Sequence, residues 1–170
     1  NNIVANTDPG LCSKSNVTFA TVITDNCPDA TVVCTPPSGS TFAKGVSTVS
    51  CAVTDAAGNT NGCSFTVTIN DIEPPAITCP APIVANTDAG QCSKSNVTWT
   101  VTAIDNCTNV TVLCSTVSGS TFPVGTNTVT CTATDGSGNT NSCSFSVTIN
   151  DTQAPAITCP ANVTTDADAG

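Results

Sequence analysis

The chain has 170 residues, a formal net charge of −9, 12 Cys, three basic residues and no His, Met or Tyr. Three cations leave no basic surface for phosphates, so composition predicts neither nucleic-acid binding nor attraction to an anionic membrane. The missing His removes the usual base of nucleophilic catalysis and predicts a protein that is not an enzyme.

The cysteines predict the compartment. So many thiols in a short chain are expected to pair, and disulfides persist where the environment is oxidising. We therefore expect an extracellular protein, either secreted or held at the cell surface. No run approaches the roughly 18 apolar residues that span a bilayer, and no N-terminal apolar segment is present, which predicts a mature, soluble fragment without membrane insertion.

The sequence repeats with a period of 80 residues. Six cysteines recur in register, as Cys12, Cys27, Cys34, Cys51, Cys63 and Cys79 and again as Cys92, Cys107, Cys114, Cys131, Cys143 and Cys159. This repeat predicts a first module at residues 1–71, whose first strand is truncated at its start, and a second at 72–151. Residues 152–170 would then be a linker followed by the first strand of a further module, or a donor strand.

The predicted elements are β-strands along the whole chain. In the first module the strand signals lie at 49–53 and 64–70, where apolar residues occupy every second position. In the second module the same alternation occurs at 97–103 and 110–114. About seven short strands per module predict an all-β fold of tandem immunoglobulin-like (fibronectin-type) Greek-key β-sandwiches, rich in disulfides.

Several sequence motifs of the second module resemble those of the hyalin repeat (HYR) domain family. They are Pro74-Pro75-Ala76-Ile77-Thr78-Cys79-Pro80, Asp105-Asn106-Cys107, Gly119-Ser120-Thr121-Phe122-Pro123-Val124-Gly125 and Val129-Thr130-Cys131. The resemblance extends over both modules. It implies an immunoglobulin-like fold that occurs in extracellular adhesion proteins and repetitive surface proteins, and it implies no catalytic residues.

The immunoglobulin-like strand order narrows the disulfide pairing. The first and last strands of a module are expected side by side, which brings Cys79 close to Cys143. Family members with only two cysteines resemble this chain at those two positions.

Two further pairs are expected between neighbouring strands of one sheet, Cys114 with Cys131 and Cys34 with Cys51. Cys92 with Cys107 and Cys12 with Cys27 remain, and the sequence leaves open whether these form within a module or between adjacent modules.

Cys63 and Cys159 have no partner in this scheme. One interpretation is that the chain is a window of a longer array. The other is that the strand beginning at Ala156 docks onto the next molecule, so that Cys159 bonds Cys63 of that neighbour in a head-to-tail filament.

The chain also carries candidate metal and modification sites. The sequence predicts no required cofactor, but the end of one module faces the loops of the next, where Asp71, Glu73, Asp105 and Asp135 offer the oxygen ligands that suit Ca²⁺. Alternatively, these side chains only cap turns. Asn16, Asn96 and Asn109 fit the acceptor pattern for N-glycosylation.

Two functions are compatible with these features. In the first, the modules are building blocks of an extracellular filament, surface appendage or matrix, and their partners are copies of the chain or neighbouring modules. In the second, the array is an adhesin that presents loops at the module poles to a glycan or cell-surface receptor. All six aromatics occupy core-like positions, which favours the first because binding surfaces usually expose aromatic side chains.

Overall fold

The computed structural model describes residues 1–162 and 164, and in this part of the chain it contains 14 strands and no helix. The first module consists of β1 (Ile3–Asn6), β2 (Ser13–Val17), β3 (Thr31–Thr35), β4 (Ser40–Ala43), β5 (Gly45–Thr54) and β6 (Thr60–Asn70). The second consists of β7 (Ala76–Thr78), β8 (Ile83–Asn86), β9 (Ser93–Val97), β10 (Thr102–Ile104), β11 (Thr111–Cys114), β12 (Ser120–Pro123), β13 (Gly125–Thr134) and β14 (Thr140–Asn150).

The second module is a two-layer sandwich. One layer has the strand order β11-β13-β14-β8, in which β8 runs parallel to β14 and the other pairs are antiparallel. The opposite layer contains β7 paired with β10 and β9 paired with β12. Between the layers lies a core that includes Val129, Val147, Ile149, Phe122 and Phe145. The module is therefore an immunoglobulin-like sandwich, as the strand spacing predicts.

The predicted strand at 97–103 is interrupted at Trp99, because the backbone hydrogen bonds of this residue are made with a side chain and not with a neighbouring strand. The Trp99 backbone N–H donates to the Ser118 hydroxyl at 2.8 Å, and that hydroxyl donates back to the Trp99 carbonyl at 3.0 Å. A serine side chain takes the place of a neighbouring strand at this residue. The segment is therefore split into β9 and β10, which pair with different strands.

The first module repeats this arrangement with one layer incomplete. It has the order β3-β5-β6-β1 in one sheet and β2 paired with β4 in the other. Residues 22–24, which correspond to β10, form no strand, and Val22 is 92% exposed. In the second module β10 pairs with β7, and in the 80-residue register the counterpart of β7 would precede Asn1.

The aromatic side chains fill the cores, as the sequence predicts. Phe42 and Phe122 are buried, and Phe19 packs edge-to-face on Phe65 with ring centroids 5.0 Å apart. Trp99 makes the same type of contact with Phe145 at 5.4 Å and with Phe122 at 5.9 Å. Such pairs stabilise a core beyond the area they bury.

Residues 152–162 follow the second module as exposed chain without strand structure. The remainder of the predicted segment 152–170, apart from Thr164, lies outside the described residues. Within the described residues no helix is long and apolar enough to cross a membrane.

Candidate functional site at the module junction

A carboxylate of the linker lies at the centre of the junction between the two modules. The Asp71 side chain is 0% exposed, and its Oδ2 atom accepts a hydrogen bond from the Ser137 hydroxyl at 2.8 Å and lies 3.5 Å from the Lys44 Nζ atom. Lys44 also donates to the Ser137 hydroxyl. Because a buried charge is costly unless paired and hydrogen-bonded, this network ties the linker to both modules.

The three lysines all form ion pairs, although so few cations are present. Lys14 binds Asp8 and Lys94 binds Asp88 at equivalent, partly exposed positions. Hydrogen bonds from Lys14 and then Ser15 hold the pKa of Asp8 far below its ordinary value, and the second module repeats this effect.

Side-chain amides complete the junction by binding backbone carbonyls of the linker and of the opposite module. A carboxylate of the linker also binds a backbone N–H of the first module. These bonds are Asn139 Nδ2 to the Asp71 carbonyl (3.2 Å), Asn141 Nδ2 to the Pro75 carbonyl (3.0 Å), Asn106 Nδ2 to the Leu11 carbonyl (2.9 Å) and the Gly10 N–H to Glu73 Oε2 (2.8 Å). The linker is therefore held along its length.

A disulfide joins the modules directly. Cys12 of the first module is bonded to Cys107 of the second, across 95 residues of sequence. Of the two arrangements left open by the sequence, the structure contains the one between modules, so pairs of Cys12 with Cys27 and of Cys92 with Cys107 are not formed. The choice depends on how the modules are placed, because the Asp105-Asn106-Cys107 loop reaches Leu11 and Cys12 across the junction.

The other disulfides lie within modules. Cys34 is bonded to Cys51 and Cys114 to Cys131, in each case directly opposite one another on paired strands. Cys79 is bonded to Cys143. Cys79 lies between β7 and β8, and β8 is the parallel neighbour of β14, which carries Cys143.

Four exposed cysteines remain free in the described part of the chain. They are Cys27, Cys63, Cys92 and Cys159. The sequence anticipates this state for Cys63 and Cys159. Cys27 and Cys92 join them because their expected partners bond to each other across the junction.

The predicted Ca²⁺ ligands come together only in part. Ligand atoms of Asp71, Asp105 and Cys107 lie within 4.8 Å of one another, but the Cys107 sulfur is in a disulfide and is not a thiolate. The Oδ1 atoms of Asp105 and Asn106 are buried without a hydrogen-bond partner among the described residues. Of the four predicted ligands, the structure therefore brings together the carboxylates of Asp71 and Asp105.

The other two predicted ligands have different roles. Asp135 caps its own turn, accepting the backbone N–H groups of Ser137 and Asn139 and the Asn139 side chain at 2.8 Å each. Burial raises the pKa of Asp135, but these hydrogen bonds outweigh burial and the pKa lies below its ordinary value. Glu73 binds Gly10. Turn and linker contacts occupy these two members of the predicted set, and Ca²⁺ binding by the four residues stays a prediction.

The first module has an open groove at the position that corresponds to the one covered by β7 in the second module. Its walls include Ile23, Val32, Val53, Cys51 and the free Cys63. In the second module the corresponding position is occupied by Ile77 of β7, which packs against the core. The residue that corresponds to Ile77 in the tail is Ile157, which is 89% exposed.

The predicted glycosylation residues Asn16, Asn96 and Asn109 are all exposed and have positive φ angles of 52°, 52° and 60°. Glycosylation remains a prediction at each of them.

Comparison with known proteins places these features in a family. The HYR domain model matches residues 1–69 and 70–149. Hyalin of Strongylocentrotus purpuratus is 34% identical over 96% of this chain, which spans 14% of that protein. A sushi, von Willebrand factor type A, EGF and pentraxin domain-containing protein 1 of Rattus norvegicus is 38% identical over 66% of the chain, which spans 3% of it.

Among solved structures, the protocadherin gammaB7 EC3-6 cis-dimer aligns with 88% of this chain and 45% of its own, at 13% identity and a TM-score of 0.38. The strand order described above, and not this likeness, defines the fold.

Proposed function

Because the chain belongs to the HYR domain family, we propose that it is a structural building block of an extracellular filament, surface appendage or matrix, in which copies join head to tail by strand addition. The two modules are tandem hyalin-like repeat domains, and their disulfides suit an extracellular or cell-surface location.

A fixed junction is the first support for a building-block role. The Cys12–Cys107 disulfide, the buried Asp71 network and the amide contacts together hold two successive modules in one orientation. Repeating a fixed orientation generates an extended assembly with a regular axial repeat. A protein that presents independent loops would not need a covalent bond between its modules.

The match between groove and tail is the observation that carries strand addition. In the second module, Ile77 of β7 lies opposite Ala103 of β10 and packs on the core, and Cys79 bonds Cys143. Shifted by 80 residues, the same pairing sets Ile157 opposite Ile23 in the groove and brings Cys159 to Cys63. The tail of one copy therefore matches the groove of another, and β-strand addition of this kind supplies both hydrogen bonds and a buried side chain.

The adhesin alternative has less support, because every aromatic side chain packs in a module core. Interfaces that bind a partner are usually anchored by exposed aromatic residues. No specific contact among the described residues favours it.

The test is assembly of the purified chain under oxidising conditions. We expect a ladder on non-reducing gels that collapses to monomer on reduction, and filaments of uniform repeat in negative-stain electron microscopy. Ile157→Asp should abolish both, because a carboxylate cannot enter the apolar groove at acceptable cost. Leu113→Asp is the matched control, since Leu113 is an exposed apolar residue outside the groove, the tail and the junction. Monomer in both gel lanes and dispersed short rods would refute the proposal.

A further inference from the structure

We propose that a second disulfide, between Cys92 of one copy and Cys27 of the next, locks the contact between copies. This inference rests on the head-to-tail assembly proposed above and adds a covalent bond at a different place. It accounts for the two free cysteines that strand addition leaves unused.

The internal junction shows the geometry that such a bond would repeat. Cys12, near the start of β2, is bonded to Cys107, which follows β10 in the next module. In the 80-residue register Cys92 corresponds to Cys12, and Cys27 corresponds to Cys107. If two copies are arranged like the two modules within one chain, Cys92 of one copy lies next to Cys27 of the other, as Cys12 lies next to Cys107.

The surface around Cys92 already has the shape of the internal junction. At the internal junction, Gly10, Glu73 and Ala76 line a cleft whose other wall is formed by residues 104–106. Gly90, Gln153 and Ala156 line an equivalent cleft with Cys92 on its wall, and no counterpart of residues 104–106 lines it among the described residues. The Gly90 N–H donates to Gln153 Oε1 at 2.8 Å, which matches the distance from Gly10 to Glu73. The cleft is therefore formed before any partner arrives.

The segment that precedes Cys27 is the counterpart of the segment that lines the cleft at the internal junction. Residues 24–26 correspond to 104–106, and all three are exposed. Asn26 corresponds to Asn106, whose side chain binds the Leu11 carbonyl at the internal junction. In the contact between copies, Asn26 would bind the Gln91 carbonyl in the same way. Asn61 would likewise bind the Pro155 carbonyl, as Asn141 binds that of Pro75.

One part of the internal junction is missing from the contact between copies. In the 80-residue register, the counterpart of Lys44 is Val124 and the counterpart of Ser137 is Ala57, so the contact between copies has neither the ammonium group nor the hydroxyl. Asp151, the counterpart of Asp71, is exposed and would gain neither of these partners. The non-covalent part of the contact is therefore weaker than at the internal junction, and covalent bonds would contribute a larger share of its strength.

The two disulfides would support each other. Once Cys63 and Cys159 are bonded, Cys27 and Cys92 are held close together, so their reaction becomes intramolecular with a high effective concentration. Each bond forms when two thiols lose two protons and two electrons to a low-molecular-weight disulfide, which is reduced to two thiols. An exposed thiol on each surface gives the thiolate the access that this exchange requires.

The experiment compares the full-length chain with three variants, Cys159→Ser, Cys92→Ser and both together, each incubated with oxidised glutathione. We expect a covalent ladder in the wild type and in both single variants, and no ladder in the double variant. Digestion without reduction should yield a linked pair of peptides that contain Cys27 and Cys92.

Each outcome separates this inference from the proposal on which it rests. A ladder that Cys159→Ser alone abolishes, with Cys27 and Cys92 alkylated in the wild type, overturns the second disulfide and leaves strand addition intact. If the wild type stays monomeric and all four thiols are alkylated, both the strand addition and the second disulfide are refuted. A bond between Cys27 and Cys92 of one molecule, identified as a compact monomer on the gel, also overturns the inference.

Discussion

Removal of the disulfide between modules should uncouple their unfolding. The variant is Cys12→Ser with Cys107→Ser, made in a chain whose four free cysteines are already serine, so that neither exchange nor polymerisation interferes. The matched control removes the Cys34–Cys51 disulfide, which lies within the first module.

The expected magnitude follows from the length of chain that each disulfide closes. Cys12 and Cys107 are 95 residues apart and Cys34 and Cys51 are 17 apart. Chain entropy then assigns about 4.7 kcal/mol to the first bond and about 3.1 kcal/mol to the second. If the modules unfold as one unit, loss of the longer loop costs about 1.5 kcal/mol more than loss of the shorter one.

Equilibrium unfolding in urea can measure this with two signals. Trp99, the one tryptophan in a chain without tyrosine, reports on the second module, whereas far-ultraviolet circular dichroism reports on both. The two transitions should coincide before the Cys12–Cys107 bond is removed and separate afterwards. Separate transitions before removal, or a smaller loss than in the control, would refute the view that the junction couples the modules.

Three further changes test the junction and the acidic groups. Lys44→Ala should lower the free energy of unfolding by about 1–3 kcal/mol, because it leaves the buried Asp71 carboxylate with fewer partners. Lys14→Ala removes an exposed ion pair and should lower it by under about 1 kcal/mol, and urea unfolding of both variants measures the difference. Because hydrogen bonds lower the pKa of Asp8 and Asp88 in the folded state, their contribution to stability should be full above about pH 4 and should fall as the pH drops further. Calorimetry of the double variant Asp8→Asn with Asp88→Asn should show a smaller decline in stability with falling pH, and an unchanged decline would contradict this reasoning. If the junction binds Ca²⁺, the ion should raise the thermal midpoint and Asp105→Asn should abolish the rise; a midpoint that EDTA and Ca²⁺ leave equal would end this hypothesis.

The fold within a module could be predicted from sequence because its determinants are local and repeated. Alternating residues set which face of β6 or β14 is buried, and they place Cys34 opposite Cys51 without reference to any other module. Residues 22–24 show where this reasoning stops. All three are β-branched and therefore suit a strand, yet they form none. Their counterpart β10 is a strand because it pairs with β7, and the described part of the first module has no equivalent of β7.

The junction could be predicted only in part, as in the approach of Asp71 to Asp105, because most of it depends on contacts between residues far apart in sequence. The pairing of Cys12 with Cys107 accompanies a module arrangement in which the linker carboxylate Asp71 contacts Lys44 and Ser137, which lie 93 residues from each other. Only the structure shows that Asp135 is already used by its own turn.

The most direct test of the central claim is an oxidised, equal mixture of unlabelled and heavy-isotope-labelled chain, digested without reduction and analysed by mass spectrometry. Head-to-tail strand addition requires that Cys63 of one molecule bond Cys159 of another. About half of the linked peptide pairs should then carry one labelled and one unlabelled partner, since copies combine at random. Linked pairs that are always uniform in label, or two thiols that remain free in the mixture, would contradict the account.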